Sequence, residues 1–246
     1  MDELFYELFD GMPRLGPGAD EATMKALNKV YKNNGEKKVL DIGCGTGAQT
    51  LLLAKNIRGK IIALDNYQPF LDQIESKTVK EELKARIKCV CMDMKNIVCK
   101  HASLDIVWGE GSIYIVGFSK GLKMVYPLMK DKAYVVFSDM NYLKDDPPAE
   151  LVQFLKEECP DIITIEENID LIEKSPFKLI DHFKLKKKDH WNPYYKPLEK
   201  RVEEYSKKYR DNSEALSISS SIQYEIDMYK KYSDYYGYVF YIMQKP

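Results

Sequence analysis

The segment Val39-Leu40-Asp41-Ile42-Gly43-Cys44-Gly45-Thr46-Gly47 constrains this chain more than any other. Lys38–Ile42 is a short apolar run bounded by turn residues, the pattern of a buried strand. Three glycines at alternate positions follow, and Leu51–Asn56 continues as a helix. Glycine takes positive φ freely and lets backbone approach a ligand with no side chain between them. The helix that follows offers N–H groups without intrahelical partners at its start. A strand closed by an acid, a glycine turn and a helix form the start of an α/β sheet that binds a ligand beyond its strand ends.

Downstream the chain alternates. Strand-like runs at Lys60–Asp65, Ile87–Met92, Leu104–Trp108 and Tyr134–Ser138 are separated by helical stretches that include Pro69–Glu82 and Ser119–Met129. This alternation predicts a parallel sheet with helices on both faces. After Asp145-Asp146-Pro147-Pro148 the rhythm loosens. Helices near Ala149–Glu158 and Asn168–Lys174 lead to a strand over Phe177–Leu185, a mostly helical stretch over 186–233, and a last strand at Tyr238–Met243. Near the start, Gly11–Gly18 is too rich in glycine and proline for a regular element. Asp20 is placed to cap a helix with Ala22, Ala26, Leu27 and Val30 on one face, and Asn33-Asn34-Gly35 ends it.

The glycine spacing separates two ligand classes. A nicotinamide dinucleotide turn has the form G-x-G-x-x-G. Here the order is Gly43-x-Gly45-x-Gly47, followed by Ala48. With the leading Asp41, the segment resembles motif I of the class I S-adenosylmethionine-dependent methyltransferases. The outer segments resemble one subgroup, the "methyltransferase domain 11" type of uncharacterised bacterial enzymes. They are Arg14-x-Gly16-Pro17-Gly18, Glu110-Gly111-Ser112-Ile113-Tyr114 and Tyr235-Tyr236-Gly237-Tyr238-Val239-Phe240-Tyr241. Lys130-Asp131-Lys132-Ala133 stands where the family often has a glycine-bearing turn and lacks its glycines.

The resemblance implies a Rossmann-like, seven-stranded, mostly parallel sheet with helices on both faces, an antiparallel last strand and a helical insertion. It implies one domain over 1–246: residues 1–36 as N-terminal lid and first helix, 37–145 as cofactor core, and 146–246 as the acceptor side, with the insertion at about 186–233. S-adenosylmethionine is the implied cofactor. Its implied contacts are Arg14, Gly16, Asp41, Gly43, Cys44, Gly45, Gly47, Asp65, Asn66, Asp93, Met94 and Glu110. Asp65, ending the second strand, fits two vicinal ribose hydroxyls, because an ionised carboxylate accepts both bonds. Asp93 and Met94 are placed at the adenine, and Arg14 at the methionine carboxylate. Each also has a plainer reading, as a cap, a core side chain or a surface charge.

Glu110, Tyr114 and His190 are the candidates for a base, and Tyr114, Trp191, Tyr194 and Tyr195 for the acceptor pocket. Eleven of the 18 tyrosines lie between Tyr194 and Tyr241, so the insertion offers large apolar faces with polar tips. No metal is expected: Cys44, Cys89, Cys91, Cys99 and Cys159 are scattered, and only three histidines are available. With 37 basic against 38 acidic residues, neither nucleic acid nor a membrane is an expected partner. The acid-bearing N-terminus and the lack of a long apolar run point to a cytoplasmic protein, monomer or homodimer. The reading is methyl transfer to a small-molecule acceptor by in-line displacement. Its alternatives are a nicotinamide-dependent oxidoreductase and a non-catalytic S-adenosylmethionine-binding module.

Overall fold

The computed structural model describes residues 2–32 and 35–246. Strands β1 (Lys37–Ile42), β2 (Gly59–Asp65), β3 (Ile87–Cys91), β4 (Leu104–Glu110) and β5 (Met129–Tyr142) pair in parallel in the order β3-β2-β1-β4-β5. The chain thus builds outward from β1 in one direction and then, from β4, in the other. That reversal opens a crevice beyond the ends of β1 and β4, where open α/β sheets bind ligands. β8 (Tyr236–Gln244) runs antiparallel between β5 and β7 (Lys178–Lys184). The expected mixed sheet is borne out, with a two-residue eighth strand, β6 (Ile163–Thr164), beside β5.

Successive strand residues serve opposite faces, as period-two side chains must. Val107, Val135, Phe137, Val239 and Tyr241 join one buried cluster, with Phe118, Leu122 and Val125 of helix α5 (Phe118–Val125). Ile106, Trp108, Val136, Phe240 and Ile242 join the other. There they meet Ala26 and Leu27 of α2 (Asp20–Val30) and Leu51 and Leu53 of α3 (Ala48–Asn56). Helix α4 (Gln68–Lys80) adds Leu71 and Ile74 against Cys44 and Ala63.

A third cluster lies off the sheet. It joins α1 (Asp2–Phe9), α6 (Ala149–Glu158), α9 (Lys196–Lys208) and α10 (Ser213–Tyr232) through Leu8, Phe9, Leu151, Phe154, Leu198, Tyr205 and Ile226. The helical stretch between β7 and β8 is therefore packed on the N-terminal helix, which the sequence pattern does not announce. Arg201 donates to the Glu7 and Leu8 carbonyls, and Tyr205 to that of Leu4.

Some boundaries differ from expectation. Ala19, not Asp20, occupies the cap position of α2, and the Asp20 carboxylate turns back to pair with Arg14 at 2.8 Å. The expected stop at Asn33-Asn34 lies outside the described residues; the helix itself ends at Val30. The stretch expected as helix to Met129 closes in a short 3₁₀ turn at Tyr126–Leu128, where Pro127 removes a donor, and Met129 already begins β5. Lys130–Ala133, where the resemblance places a turn, lies within β5, and Lys132 there takes φ +63°, a conformation that glycine adopts more readily.

Candidate active site

The glycine turn is fixed from three sides. Gly43, Gly45 and Gly47 all have positive φ, at 69°, 52° and 86°. The Gly43 and Cys44 N–H groups donate to the Leu64 carbonyl at 2.8 and 3.0 Å, tying the turn to the end of β2. Asp65, at that end, accepts the Gly45 N–H at 2.9 Å and the Tyr67 N–H at 3.1 Å. From the β4 side, the Ser112 hydroxyl donates to the Ile42 carbonyl at 2.6 Å.

Asp41 lies beneath this turn rather than at its surface. It is fully buried and accepts from the Thr50 hydroxyl at 2.5 Å and the Gln49 amide at 3.3 Å. Burial pushes its carboxyl up to about 7 against the two hydrogen bonds that favour the ionised form. Its geometric job is to tie β1 to the first turn of α3. Burial also raises the Asp65 carboxyl, opposed by its backbone N–H donors.

Glu110 closes β4 as the acceptor for three donors. One oxygen takes the Thr23 hydroxyl at 2.7 Å and the Trp108 indole N–H at 2.9 Å; the other takes Arg14 at 3.2 Å. Its side chain is 3% exposed and that of Arg14 7%. The pair fastens the Gly/Pro loop to the sheet, a connection between residues 96 positions apart.

Two cavities abut above these elements. The first, about 310 Å³, is lined by the glycine turn, Gln49, Asp65, Asn66, Asp93, Met94, Arg14 and Glu110. The second, about 330 Å³, lies between the sheet ends and the helical cap. Its walls include Phe154, Glu158, Cys159, Tyr194, Tyr195, Glu225, Tyr236 and Tyr238. Phe5, Tyr6, Leu15, Gly16, Pro17, Phe70, Gly111 and Tyr114 line both, so the cavities share one wall. Tyr6 of α1 stacks on Tyr67 with centroids 3.8 Å apart, which seats the N-terminal helix beside α4.

Of the residues singled out in the sequence, Arg14, Gly16, Gly43, Cys44, Gly45, Asp65, Asn66, Asp93, Met94, Glu110 and Tyr114 line the first cavity. Asp41 and Gly47 support it from below and behind. Tyr114, Tyr194 and Tyr195 line the second cavity, and Trp191 and His190 line neither. His190 is a correction to the set of candidate bases. Its Nδ1 contacts the Lys186 carbonyl at 3.1 Å, and its Nε2 accepts the Tyr238 N–H at 3.1 Å, so both ring nitrogens are engaged. Trp191 is likewise displaced from the pocket wall, against Tyr195 and under the Lys230 ammonium. Trp191 opens a π-helical turn, Trp191–Tyr195, that carries Tyr194 and Tyr195 into the cavity wall. Glu158, Glu225, Phe5 and Tyr6 escaped sequence reasoning. Tyr236 and Tyr238 lay in a segment already quoted, though not as site residues.

A family described as "Methyltransferase domain" matches residues 39–132, which run from the glycine turn to the start of β5. A carboxy-S-adenosyl-L-methionine synthase of Shewanella piezotolerans is 26% identical over 113 residues, 44% of this chain and 46% of the relative. The chain thus spans less than half the length of the curated relatives it matches first. A methyltransferase of Geobacter sulfurreducens in complex with S-adenosyl-L-homocysteine superposes with TM-score 0.86 at 13% identity, over 100% of this chain and 99% of that one. One from Thiobacillus denitrificans, also with S-adenosyl-L-homocysteine, gives 0.87 at 13% over the same shares. Residues 39–132 match the methyltransferase domain, and the fold is the one shared by these two S-adenosylmethionine-dependent methyltransferases.

Proposed function

We propose that this chain transfers a methyl group from S-adenosylmethionine to a small-molecule acceptor. The observation that carries the reading is the shared wall: a cavity built on the glycine turn opens beside a second, aromatic cavity across Gly111 and Tyr114. Acceptor and methyl group must meet at near-attack distance, and adjoining cavities provide that alignment.

The residues present fit the cofactor. Gly45 takes φ +52°, and a Cβ on it would press on the flexible end of Leu15 at 2.9 Å, so the turn favours bare backbone there. Asp65 uses one lone pair of each oxygen on backbone N–H groups, and a carboxylate has about four such sites, leaving room for ribose hydroxyls. Asn66 lies next to it, and Asp93 and Met94 line the same cavity beyond β3. Arg14 keeps N–H groups beyond those given to Glu110 and Asp20, enough for a carboxylate on the ligand. Bound there, the cofactor supplies an activated methyl group on a sulfonium.

The chain's own part is to bind, align and exclude water. Residues 1–36 act as the lid over the core at 37–145, and residues 146–246 form the acceptor side. Glu110 serves as an anchor for Arg14 and not as a base, because its oxygens already hold three donors. Tyr114, 41% exposed and shared by both cavities, is the side chain placed to close over the reacting atoms. Among the described residues no helix is long and apolar enough to cross a membrane. Five free thiols suit a reducing compartment such as the cytoplasm.

Titration with S-adenosylhomocysteine and with NAD tests the cofactor. The expected result is micromolar or tighter binding of the first and none of the second. Binding of NAD alone would overturn the reading in favour of an oxidoreductase. Mass-spectrometric detection of S-adenosylhomocysteine and a product 14 Da heavier, with a panel of acceptors, separates an enzyme from a binding module.

A further inference from the structure

The second cavity has a chemical bias. Among its lining residues there are two carboxylates, Glu158 and Glu225, and no lysine, arginine or histidine. Glu225 accepts one bond, from the Tyr195 hydroxyl at 3.1 Å. The lysines that follow on α10 face elsewhere: Lys230 pairs with Glu199 and Lys231 with Glu150. Burial and the charge of Glu158 push the Glu225 carboxyl up to about 7, with the Tyr195 bond opposing them. A second observation is independent of the acids. Tyr236 is 2% exposed, lines the same cavity and has a buried hydroxyl with no hydrogen-bond partner. Buried polar groups are seldom left unpaired in a folded chain, and orphans concentrate where something else completes them. The faces of Phe154, Tyr194 and Tyr238 complete the wall. Aromatic faces around an uncompensated carboxylate attract a cation and repel an anion.

We propose that the second cavity binds a small organic amine as its ammonium ion, with Glu225 as counter-ion and the Tyr236 hydroxyl as a further acceptor, so that amines are the acceptor class of this site. The proposal rests on the methyltransferase reading for the role of acceptor, but not for the binding itself. Methylation at nitrogen is balanced by the groups present. The ammonium loses one proton to the Glu225 carboxylate, the freed lone pair forms the new N–C bond, and the electrons of the broken C–S bond stay on sulfur.

Calorimetry on the whole chain saturated with S-adenosylhomocysteine tests this with three probes of one skeleton: phenethylamine, 2-phenylethanol and phenylacetate. A set of smaller amines, from ethanolamine to isobutylamine, covers the case of a smaller ligand. At least one amine should bind about tenfold or more tighter than the alcohol of its own skeleton, the gain expected of a charge-assisted bond, and phenylacetate should not bind. Glu225→Gln and, independently, Tyr236→Phe should remove that preference while leaving S-adenosylhomocysteine affinity within twofold. Equal binding of amine and alcohol, preferential binding of phenylacetate, silence of every amine, or a preference that survives Glu225→Gln would each overturn the proposal. Loss of S-adenosylhomocysteine binding by the wild-type chain would instead strike the cofactor reading. The two failures are therefore read from separate titrations.

Discussion

Asp65 accepts the Gly45 N–H at 2.9 Å, so the last residue of β2 holds the middle of the turn that follows β1. The same carboxylate therefore shapes the cradle and faces into it. Each element would be misplaced without the other. Substitutions here are expected to affect the ligand first and the fold second.

Asp65→Ala removes the acceptor for two backbone N–H groups and for the proposed ribose contact. Hydrogen bonds to charged groups are worth roughly 1.5–3 kcal/mol, so affinity for S-adenosylhomocysteine should fall about tenfold to a hundredfold. Asp65→Asn keeps one acceptor oxygen and should lose less. Calorimetry showing both variants at wild-type affinity would remove Asp65 from the cofactor site.

Gly43 and Gly45 should respond differently to alanine. A Cβ on Gly43 would fall 2.5 Å from the Ser112 Cβ, and Ser112 is held by its bond to the Ile42 carbonyl. At Gly45 the clash is with the flexible end of Leu15. Both residues also occupy the left-handed region, which costs an alanine about 1 kcal/mol. Gly43→Ala should therefore lose about 2–4 kcal/mol of stability in a denaturant titration. Gly45→Ala should lose about 1 kcal/mol, with its larger effect on cofactor affinity. Equal destabilisation by the two would contradict this account.

The contrast between core and cap shows what the sequence could disclose. The strands around β1 announce themselves because each is a short apolar run between turn residues, and the glycine turn can be read because its backbone demands glycine. The second cavity was hidden for a different reason. Glu225 and Tyr236 come from α10 and β8, while Phe5 and Tyr6 come from α1, so the cavity exists only once the cap packs on the N-terminal helix. Periodicity along one segment carries no information on such a meeting. His190 and Trp191 illustrate the converse: both were candidates for the site, but His190 is held by the Lys186 carbonyl and the Tyr238 N–H, and Trp191 packs on Tyr195 outside the cavity.

Glu110 should prove structural in function. Glu110→Gln keeps the shape but removes the charge opposite Arg14 and turns an amide N–H₂ either toward Arg14 or toward the Thr23 and Trp108 donors. Breaking a buried pair at one partner costs about 3–5 kcal/mol. The variant should unfold at lower denaturant, and its Gly11–Gly18 loop should be cut faster in limited proteolysis. Wild-type stability with lost turnover would return Glu110 to the list of bases.

Asp139 sets part of the pH dependence of stability. It is 7% exposed, one of its oxygens has no partner, and the other receives a long 3.5 Å bond from Asn168. Burial pushes its carboxyl up to about 6, against about 3.9 in an unfolded chain. Between those values the folded state holds more proton than the unfolded state, so this group's contribution to stability falls as pH rises from about 4 to 6. Asp139→Asn stays neutral throughout. It should be more stable than wild type at pH 8 by on the order of 2 kcal/mol, and the advantage should shrink towards pH 4. Denaturant midpoints of both proteins at pH 8 and pH 5 measure the difference. A constant difference would show that Asp139 is not the titrating group.

His190 works in the opposite direction. Its ring is buried at 3% exposure, stacked on Tyr229 with centroids 5.2 Å apart, and its Nε2 accepts the N–H of Tyr238 in β8. Burial lowers its pKa to about 4, and the Lys186 carbonyl and Asp189 only partly counter that. An unfolded chain takes up the proton near 6.5. The stability due to neutral His190 is therefore complete above pH 6.5 and is lost as pH falls from there towards 4. Protonation would also place a donor against the Tyr238 N–H and release β8 from the loop after β7. The chain has only three histidines, so their C2–H resonances can be followed one by one. The resonance of His190 should hold its neutral position at pH 5 and move only as β8 amides lose exchange protection. A His190 that titrates near 6.5 in the folded protein, with β8 still protected, would mean that its ring nitrogens are free, and would restore it as a candidate base.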